Sequence, residues 1–322
     1  MGMKPLKTRV ALLVGGPSSE HDVSLNSGRV VHASLDKDKY EIIPVLINRK
    51  GEWPIEPKHL KDVTDVAFIA MHGEYGEDGT VQEILKDLGI PYTGSDHMAS
   101  ALAMNKILSR RLFRAHGMNV PNSVVFNTHE SAERDWSDIP LPAVVKPSNR
   151  GSSLGVGIAR TIDEVKLALE RAFAHSKSAL IEEHIQGREL NCGVIDDGMG
   201  HAFPLPVTEI VPKFGIFDYN AKYTPGAAEA IIPARILERE AGLAQAVALR
   251  AHELVGAAGF SSTDMILGED GNLYVLEIDT IPGMTENSLL LKAALSHGMT
   301  RGELFDRIIE AAFIKHAAMV RR

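Results

Sequence analysis

Short apolar runs alternate along the chain with stretches whose apolar residues recur at helical spacing. Val10–Val14 is a continuous apolar run that ends in Gly15-Gly16, the signature of a strand buried on both faces. A helix follows over Ser24 to Leu35, with Ser24 or Asp22 available to cap it. Glu41–Ile47 and Val66–Met71 are the next strand candidates, and Thr80–Leu88 carries Val81, Ile84, Leu85 and Leu88 at helical spacing. Strand, helix, strand, helix predicts a parallel sheet with crossover helices over the first hundred or so residues.

The pattern then changes. Lys106–His116 reads as a basic helix, Ala143–Lys146 as a short strand, Ile162 to His175 as a helix capped by Thr161, and Ala179–Glu183 as a strand. Together they form a small α+β unit. Strands dominate next, at Leu190–Ile195 and Ala202–Glu209, before a polar loop over Gly215–Ala228 and a long helix from Glu238 to about Ala258. Met265–Leu267 and Leu273–Ile278 flank Glu269-Asp270-Gly271-Asn272, a strong hairpin turn. From Ser288 to the end the chain reads as helical.

Composition narrows the function classes. The chain has 322 residues, 44% of them hydrophobic and 24% charged, which is ordinary globular composition and enough for roughly two domains. Net charge is −8 and basic runs are missing, which argues against a nucleic-acid partner. No stretch approaches the ~20 apolar residues of a membrane helix, so no membrane association is expected. A single cysteine, Cys192, excludes an internal disulfide framework and any Cys-pair metal site, and a cytoplasmic location is the matching expectation.

Several stretches carry candidate chemistry. Gly15-Gly16-Pro17-Ser18-Ser19-Glu20-His21 joins a strand to a helix, where glycines let a ligand approach the backbone. The spacing is not the Gly-x-Gly-x-x-Gly of dinucleotide binding, and Glu20 suits a ligand that carries an amine. A solvated turn is the alternative. Gly151-Ser152-Ser153-Leu154-Gly155, with Lys146 five positions before it, can wrap phosphates or form a plain surface loop. Lys222-Tyr223 lies in an aromatic-rich loop that is either a lid or an insertion packed on itself. His72 follows the third strand, where open α/β sheets bind ligands, although a lone histidine is more often structural.

The strongest local signal is acidic. The hairpin lets Asp264 and Glu277 face each other, and Glu277 and Asp279, two apart on a strand, share a face. Three converging carboxylates repel unless a cation lies between them, and Mg²⁺ bridging nucleotide phosphates meets that need. The alternative is a solvated acidic edge strand, but Val275, Leu276 and Ile278 make the strand too apolar for it.

In collinear order, GGPSSEHDVSLNSG (15–28), MHGEYGEDG (71–79), ALAMNK (101–106), VVKPSNRGSSLGVG (144–157), LIEEHIQGREL (180–190), FDYNAKY (217–223) and LEIDTIPGMTENSLL (276–290) span nearly the whole chain. The set resembles the D-alanine–D-alanine ligase family of ATP-grasp enzymes. The resemblance implies a Rossmann-like N-terminal region over residues 1–104, then the two halves of an ATP-grasp fold over 105–188 and 189–322. It implies ATP held by Lys106, Lys146, Ser152, Ser153, Glu182, Glu183, Glu189 and Lys222. Two Mg²⁺ ions, with Mn²⁺ as a substitute, would sit on Asp264, Glu277 and Asp279. The implied reaction joins two D-alanines through an acyl phosphate, for peptidoglycan precursor synthesis.

By the same resemblance Glu20 pairs with the ammonium of the first D-alanine, and Glu20, Ser152 and Tyr223 form a linked set. His72, Gly283, Ser288 and Leu289 line the substrate side, with Ser288 also in the catalytic set. Tyr223 in the lid implies an amine and not D-lactate as second nucleophile, and a homodimer is implied as well. The resemblance breaks at two positions. The family usually reads Ser-Arg-Val-Asp-Phe where this chain has Ser261-Ser262-Thr263-Asp264-Met265, and Glu-x-Asn where it has Glu277-Ile278-Asp279. One positive charge is lost and one negative gained at the phosphate site, which predicts slower turnover or a different substrate pair. The other readings are a ligase of the same fold for a different amino acid or hydroxy acid pair, and an ATP-binding protein with degraded catalysis.

Overall fold

The computed structural model describes residues 6–128, 136–149, 156–196, 201–213 and 226–320. Its first sheet is parallel, in the order β2-β1-β3, from β1 (Thr8–Gly15), β2 (Tyr40–Ile47) and β3 (Val66–Ile69). A parallel bridge between Ala67 and Tyr92 extends it. The helices α1 (His21–Ser34), α2 (Pro57–Val63) and α3 (Thr80–Asp87) make the connections. Val10, Ala11 and Leu13 are fully buried, as the continuous apolar run predicts for a doubly covered strand.

Helix α1 starts earlier than the sequence suggests and uses neither expected cap. Glu20 holds the cap position, without a side-chain bond to the first turn. Ser24 is engaged elsewhere: its hydroxyl donates to the Glu20 carbonyl at 3.0 Å and accepts from His72 N–H at 3.0 Å. Asp22 pairs with Arg49. A contact 48 residues away thus displaces local capping.

The second sheet is antiparallel, in the order β4-β7-β5-β6, from β4 (Ser123–Asn127), β5 (Ala143–Pro147), β6 (Gly157–Ala159) and β7 (Ser178–Glu183). Helix α6 (Ile162–Phe173) covers it with Val165, Ala168, Leu169 and Ala172. Thr161 caps this helix as expected, accepting from Glu164 N–H at 3.3 Å, while the Glu164 carboxylate reaches back to Arg160 N–H at 2.6 Å.

The third sheet has six strands, in the order β11-β10-β8-β12-β13 with β9 also paired to β8. They are β8 (Gly187–Asp196), β9 (Ala202–Pro204), β10 (Thr208–Pro212), β11 (Ala228–Ile231), β12 (Phe260–Gly268) and β13 (Leu273–Asp279). Two expectations are corrected here. The single strand over 202–209 is two strands, because Pro204 and Pro206 supply no N–H to continue a ladder. Strand β12 begins five residues before the apolar run Met265–Leu267, because its first half carries polar residues. Helix α7 (Glu238–Val255) packs on this sheet through Ala244, Ala248 and Ala251, and Gly256, with φ +72°, ends it.

Two helices lie between the parallel sheet and the rest, α4 (His97–Met104) and α5 (Lys106–Ala115). The helical C-terminus divides into α8 (Leu289–Ser296) and α9 (Arg301–Val320) around Gly298. Both return to the first sheet. Leu290, Leu291, Leu304, Phe305 and Ile308 share a core with Val10, Leu12 and Phe68, and the Phe305 ring meets Phe68 edge-on at 5.7 Å. Among the described residues no helix is long and apolar enough to cross a membrane.

Because α9 completes the core of the first sheet, Phe305→Ala is expected to lower the unfolding free energy by about 3–5 kcal/mol in urea titrations. Leu243→Ala, at a half-exposed position of α7, is expected to shift it by less than about 0.5 kcal/mol.

Candidate active site

The site is built on β12 and β13. Their register sets Asp264 opposite Glu277 and Ser262 opposite Asp279, and residues two apart on a strand share a face. The turn that fixes this register holds Gly271 at φ +79° and is braced by Asp270, which accepts from Asn272 N–H at 3.0 Å and Tyr274 O–H at 2.7 Å. Asp264, Glu277 and Asp279 then offer carboxylate oxygens that all lie within 4.8 Å of one another. Hard oxygen donors at that spacing fit a divalent cation such as Mg²⁺.

Strand β13 is the last in its sheet, yet its edge is covered. Arg110 donates to the Leu276 carbonyl from Nε at 3.0 Å and Nη2 at 2.6 Å, and Val275 N–H donates to Asn119 at 2.9 Å. The acidic strand is therefore clamped between α5 and β12, and the solvated-edge alternative does not describe it.

Beside the carboxylates lie two buried lysines. Lys106 opens α5, where the Asn105 side chain caps the first turn, and its Nζ pairs with Glu277 at 2.8 Å. Lys146 on β5 pairs with Glu182 on β7 at 2.7 Å. The other Glu182 oxygen pairs with Arg110. Glu182 is only 2% exposed, with its two oxygens paired to these two cations in the wall of the cavity. Burial, helped by repulsion from Arg110, lowers the Lys146 pKa to about 8 against the pull of Glu182 and Glu277. Glu183 accepts from Asn122 N–H at 2.8 Å, and Glu189 is half-buried at the start of β8. Lys106, Lys146, Glu182, Glu183, Glu189 and Glu277 line one cavity of about 480 Å³ with Asp264.

A second cavity, of about 900 Å³, lies on the other side of the acidic cluster and also includes Asp264. Glu20 is buried in its wall. Gly73, at φ +74°, has no room for a side chain: a Cβ there would stand 2.9 Å from Ser18 and 3.0 Å from a Glu20 carboxylate oxygen. His72 is buried in a network. Its Nδ1 faces two acceptors, Glu77 at 3.2 Å and the Ile281 carbonyl at 3.1 Å, so Nδ1 carries the proton. Its Nε2 meets the Ser27 hydroxyl at 2.8 Å. Burial opposes charge on His72, but Glu77, Glu20 and the Ile281 carbonyl outweigh it and raise the pKa. Burial, with the Glu20 charge behind it, pushes the Glu77 carboxyl up.

The same cavity holds Gly283, Ser288 and Leu289. Ser288 stands at the N-terminus of α8, bonded to Thr285 at 3.0 Å, and a Cβ at Gly283 would lie 3.0 Å from its hydroxyl. Ser27 accepts from Met284 N–H at 3.3 Å, which ties this segment to α1 and, through the Ser27 hydroxyl, to His72. Fold and loops thus bring Glu20, His72, Gly283, Ser288, Leu289, Asp264 and Asp279 together on one side. Lys106, Lys146, Glu182, Glu183, Glu189 and Glu277 gather on the other. Ser152, Ser153, Lys222 and Tyr223 lie outside the described residues.

The sequence reading missed four participants. Arg110 stands four residues after Lys106 on the same predicted helix, a spacing that was visible. Glu77 lies within the loop that singled out His72. Asn191 and Ser27 had no local signal, since their partners are distant in sequence.

Two family models match the chain, D-ala D-ala ligase N-terminus over residues 9–63 and 55–95, and D-ala D-ala ligase C-terminus over residues 112–310. A protein named D-alanine–D-alanine ligase from Geotalea uraniireducens (strain Rf4) is 40% identical over 316 residues, 98% of this chain and 99% of that protein. Among solved structures, the D-alanine–D-alanine ligase from Bacillus anthracis complexed with ATP is similar with a TM-score of 0.82 at 33% identity, covering 98% of this chain and 99% of that one. The VanG D-Ala:D-Ser ligase from Enterococcus faecalis is similar with a TM-score of 0.82 at 30% identity, covering 95% of this chain and 100% of that one.

The convergence of three carboxylates predicts stabilisation by divalent cations. Millimolar Mg²⁺ or Mn²⁺ is expected to raise Tm in thermal melts, and Asp264→Asn combined with Asp279→Asn to abolish that rise.

Proposed function

The chain belongs to the D-alanine–D-alanine ligase family, and we propose that it joins two D-alanines to D-alanyl-D-alanine at the expense of ATP. One observation carries the reading: a cavity with two buried lysines and a cavity with Glu20 and Ser288 meet at one acidic cluster, with Asp264 in the wall of both. A phosphoryl group held on one side thus reaches a carboxylate held on the other.

Lys106 and Lys146 hold phosphate oxygens of ATP as point charges, already oriented by Glu277 and Glu182. Asp264, Glu277 and Asp279 would hold Mg²⁺, which would supply neutralisation of phosphate charge there. Glu20 receives the ammonium of the first D-alanine. A carboxylate oxygen of that substrate attacks the γ-phosphorus, the bond to the β-phosphate oxygen breaks, and ADP leaves with that electron pair. The second D-alanine, received near Gly283, Ser288 and Leu289, loses one ammonium proton to solvent, and its neutral amine attacks the acyl phosphate carbonyl. Phosphate then leaves, carrying off one N–H proton as the amide forms.

The deciding assay measures phosphate release and product mass from Mg-ATP with D-alanine, beside wells with L-alanine, D-serine and D-lactate. The reading expects D-alanyl-D-alanine from the first well, and silence there with turnover in another well would replace it. Glu20→Gln is expected to raise KM for D-alanine about tenfold or more, as loss of a charged hydrogen-bond partner does, with KM for ATP little changed.

Lys146 gives a second test. Its pKa near 8 leaves it mostly neutral at pH 9, and phosphates at its Nζ favour the charged form. ATP binding at pH 9 is therefore expected to take up a proton that is already in place at pH 7. Calorimetry in buffers of different ionisation enthalpy reads that uptake, and Lys146→Arg, charged throughout, is expected to remove it.

A further inference from the structure

We propose that the Ser262 hydroxyl is a catalytic hydrogen-bond donor to the reacting group in this chain, and that Asn191 is the positioning residue that aims it. The inference rests on the ligase reading above. Ser262 and Asn191 stand on neighbouring strands, β12 and β8, and both line the 900 Å³ cavity beside the carboxylates. They are 5% and 4% exposed.

The geometry fixes which way the hydrogens run. Asn191 Nδ2 lies 2.6 Å from Asp264 Oδ1 and 2.7 Å from Ser262 Oγ. Turning the amide over would set Asn191 Oδ1 against the Asp264 carboxylate, two acceptors in contact. The amide nitrogen therefore faces Asp264, and its two hydrogens go to Asp264 and Ser262. Ser262 Oγ is thus an acceptor from Asn191, and its own O–H is left to donate elsewhere. Asp279 stands opposite Ser262 in the ladder, and an anionic oxygen of a group bound in the cavity is the acceptor the hydroxyl meets in the reaction.

A second observation agrees. Asn191 Oδ1 is buried with no hydrogen-bond partner. A buried acceptor left unsatisfied is costly, and the amide is held so because both hydrogens serve the site. The chain Asn191 to Ser262 to reacting oxygen places an oriented donor beside the acidic cluster, in the same cavity as Glu20, Gly283 and Ser288. Hydrogen bonds in such a chain polarise one another, which strengthens the last donor. Ser262 stands where the family usually has arginine, so this chain offers a neutral donor, already oriented, at that position. No proton is transferred by Ser262; it donates a hydrogen bond only.

The test compares the wild type, Ser262→Ala, Ser262→Thr, Asn191→Ala and the double alanine variant in the D-alanine assay. Kd for Mg-bound non-hydrolysable ATP analogue is measured on each by calorimetry. Loss of one such donor is expected to lower kcat by about 10²-fold. Ser262→Thr, which keeps the hydroxyl, is expected to restore most of the rate. Asn191→Ala is expected to lower kcat as well, and the double variant to be little slower than Ser262→Ala, since the two act in one chain. Nucleotide Kd is expected to stay within about twofold for Ser262→Ala, because its role is in the chemical step. Wild-type kcat in Ser262→Ala, or a Kd that weakens as much as kcat falls, overturns the inference while the ligase reading stands. A wild type that forms no product from D-alanine overturns the ligase reading and this inference with it.

Discussion

Buried charge has to be paired, and the site is organised around that constraint. Lys106 with Glu277, and Lys146 with Glu182 and Arg110, bring five ionised groups out of water at the junction of α5, β5, β7 and β13. Removing one member of such a pair leaves an uncompensated charge and typically costs about 3–5 kcal/mol. The pairs therefore hold the second and third sheets in one arrangement, with two ammonium groups presented to a cavity. Arg110 does this twice over, because the same guanidinium that meets Glu182 also closes the open edge of β13. Position of the edge strand and orientation of Lys146 are one mechanical unit.

The cavity that holds Glu20 and Ser288 is organised mainly by hydrogen bonds around His72, with Glu77 as its charged partner. His72 joins the helix that carries Ser27, the loop that carries Glu77 and the segment after β13 through the Ile281 carbonyl. Glycines at 73 and 283 keep side chains away from Glu20 and Ser288. Each half of the site is thus rigid for its own reason, and they share the carboxylates on β12 and β13. That division suits a reaction in which one substrate is a polyanion and the others are small zwitterions.

Much of this was legible in the chain before any coordinates. The apolar run of β1 has the pattern of a strand covered on both faces, and it is one. The turn at 269–272 implied the pairing of Asp264 with Glu277, and the register delivers it. The misplaced elements share a cause. Ser24 was read as a cap from its local position, but a distant backbone N–H claims it. The first half of β12 was missed because Ser261, Ser262, Thr263 and Asp264 are polar, and they are polar because part of that strand faces the site.

The sequence alone singled out candidate residues and roughly the elements that bear them, since spacing along a strand or helix translates directly into a shared face. It also determined the two departures, at Ser262 and Asp279. Only the tertiary structure decided who partners whom. Glu182 proved to be the anchor of Lys146 and Arg110, the His72 ring to be bound 209 residues away at Ile281, and Asn191 to be the amide that sets the Ser262 hydroxyl. Such partners meet across strand ladders and between sheets, where sequence distance carries no information about distance in space.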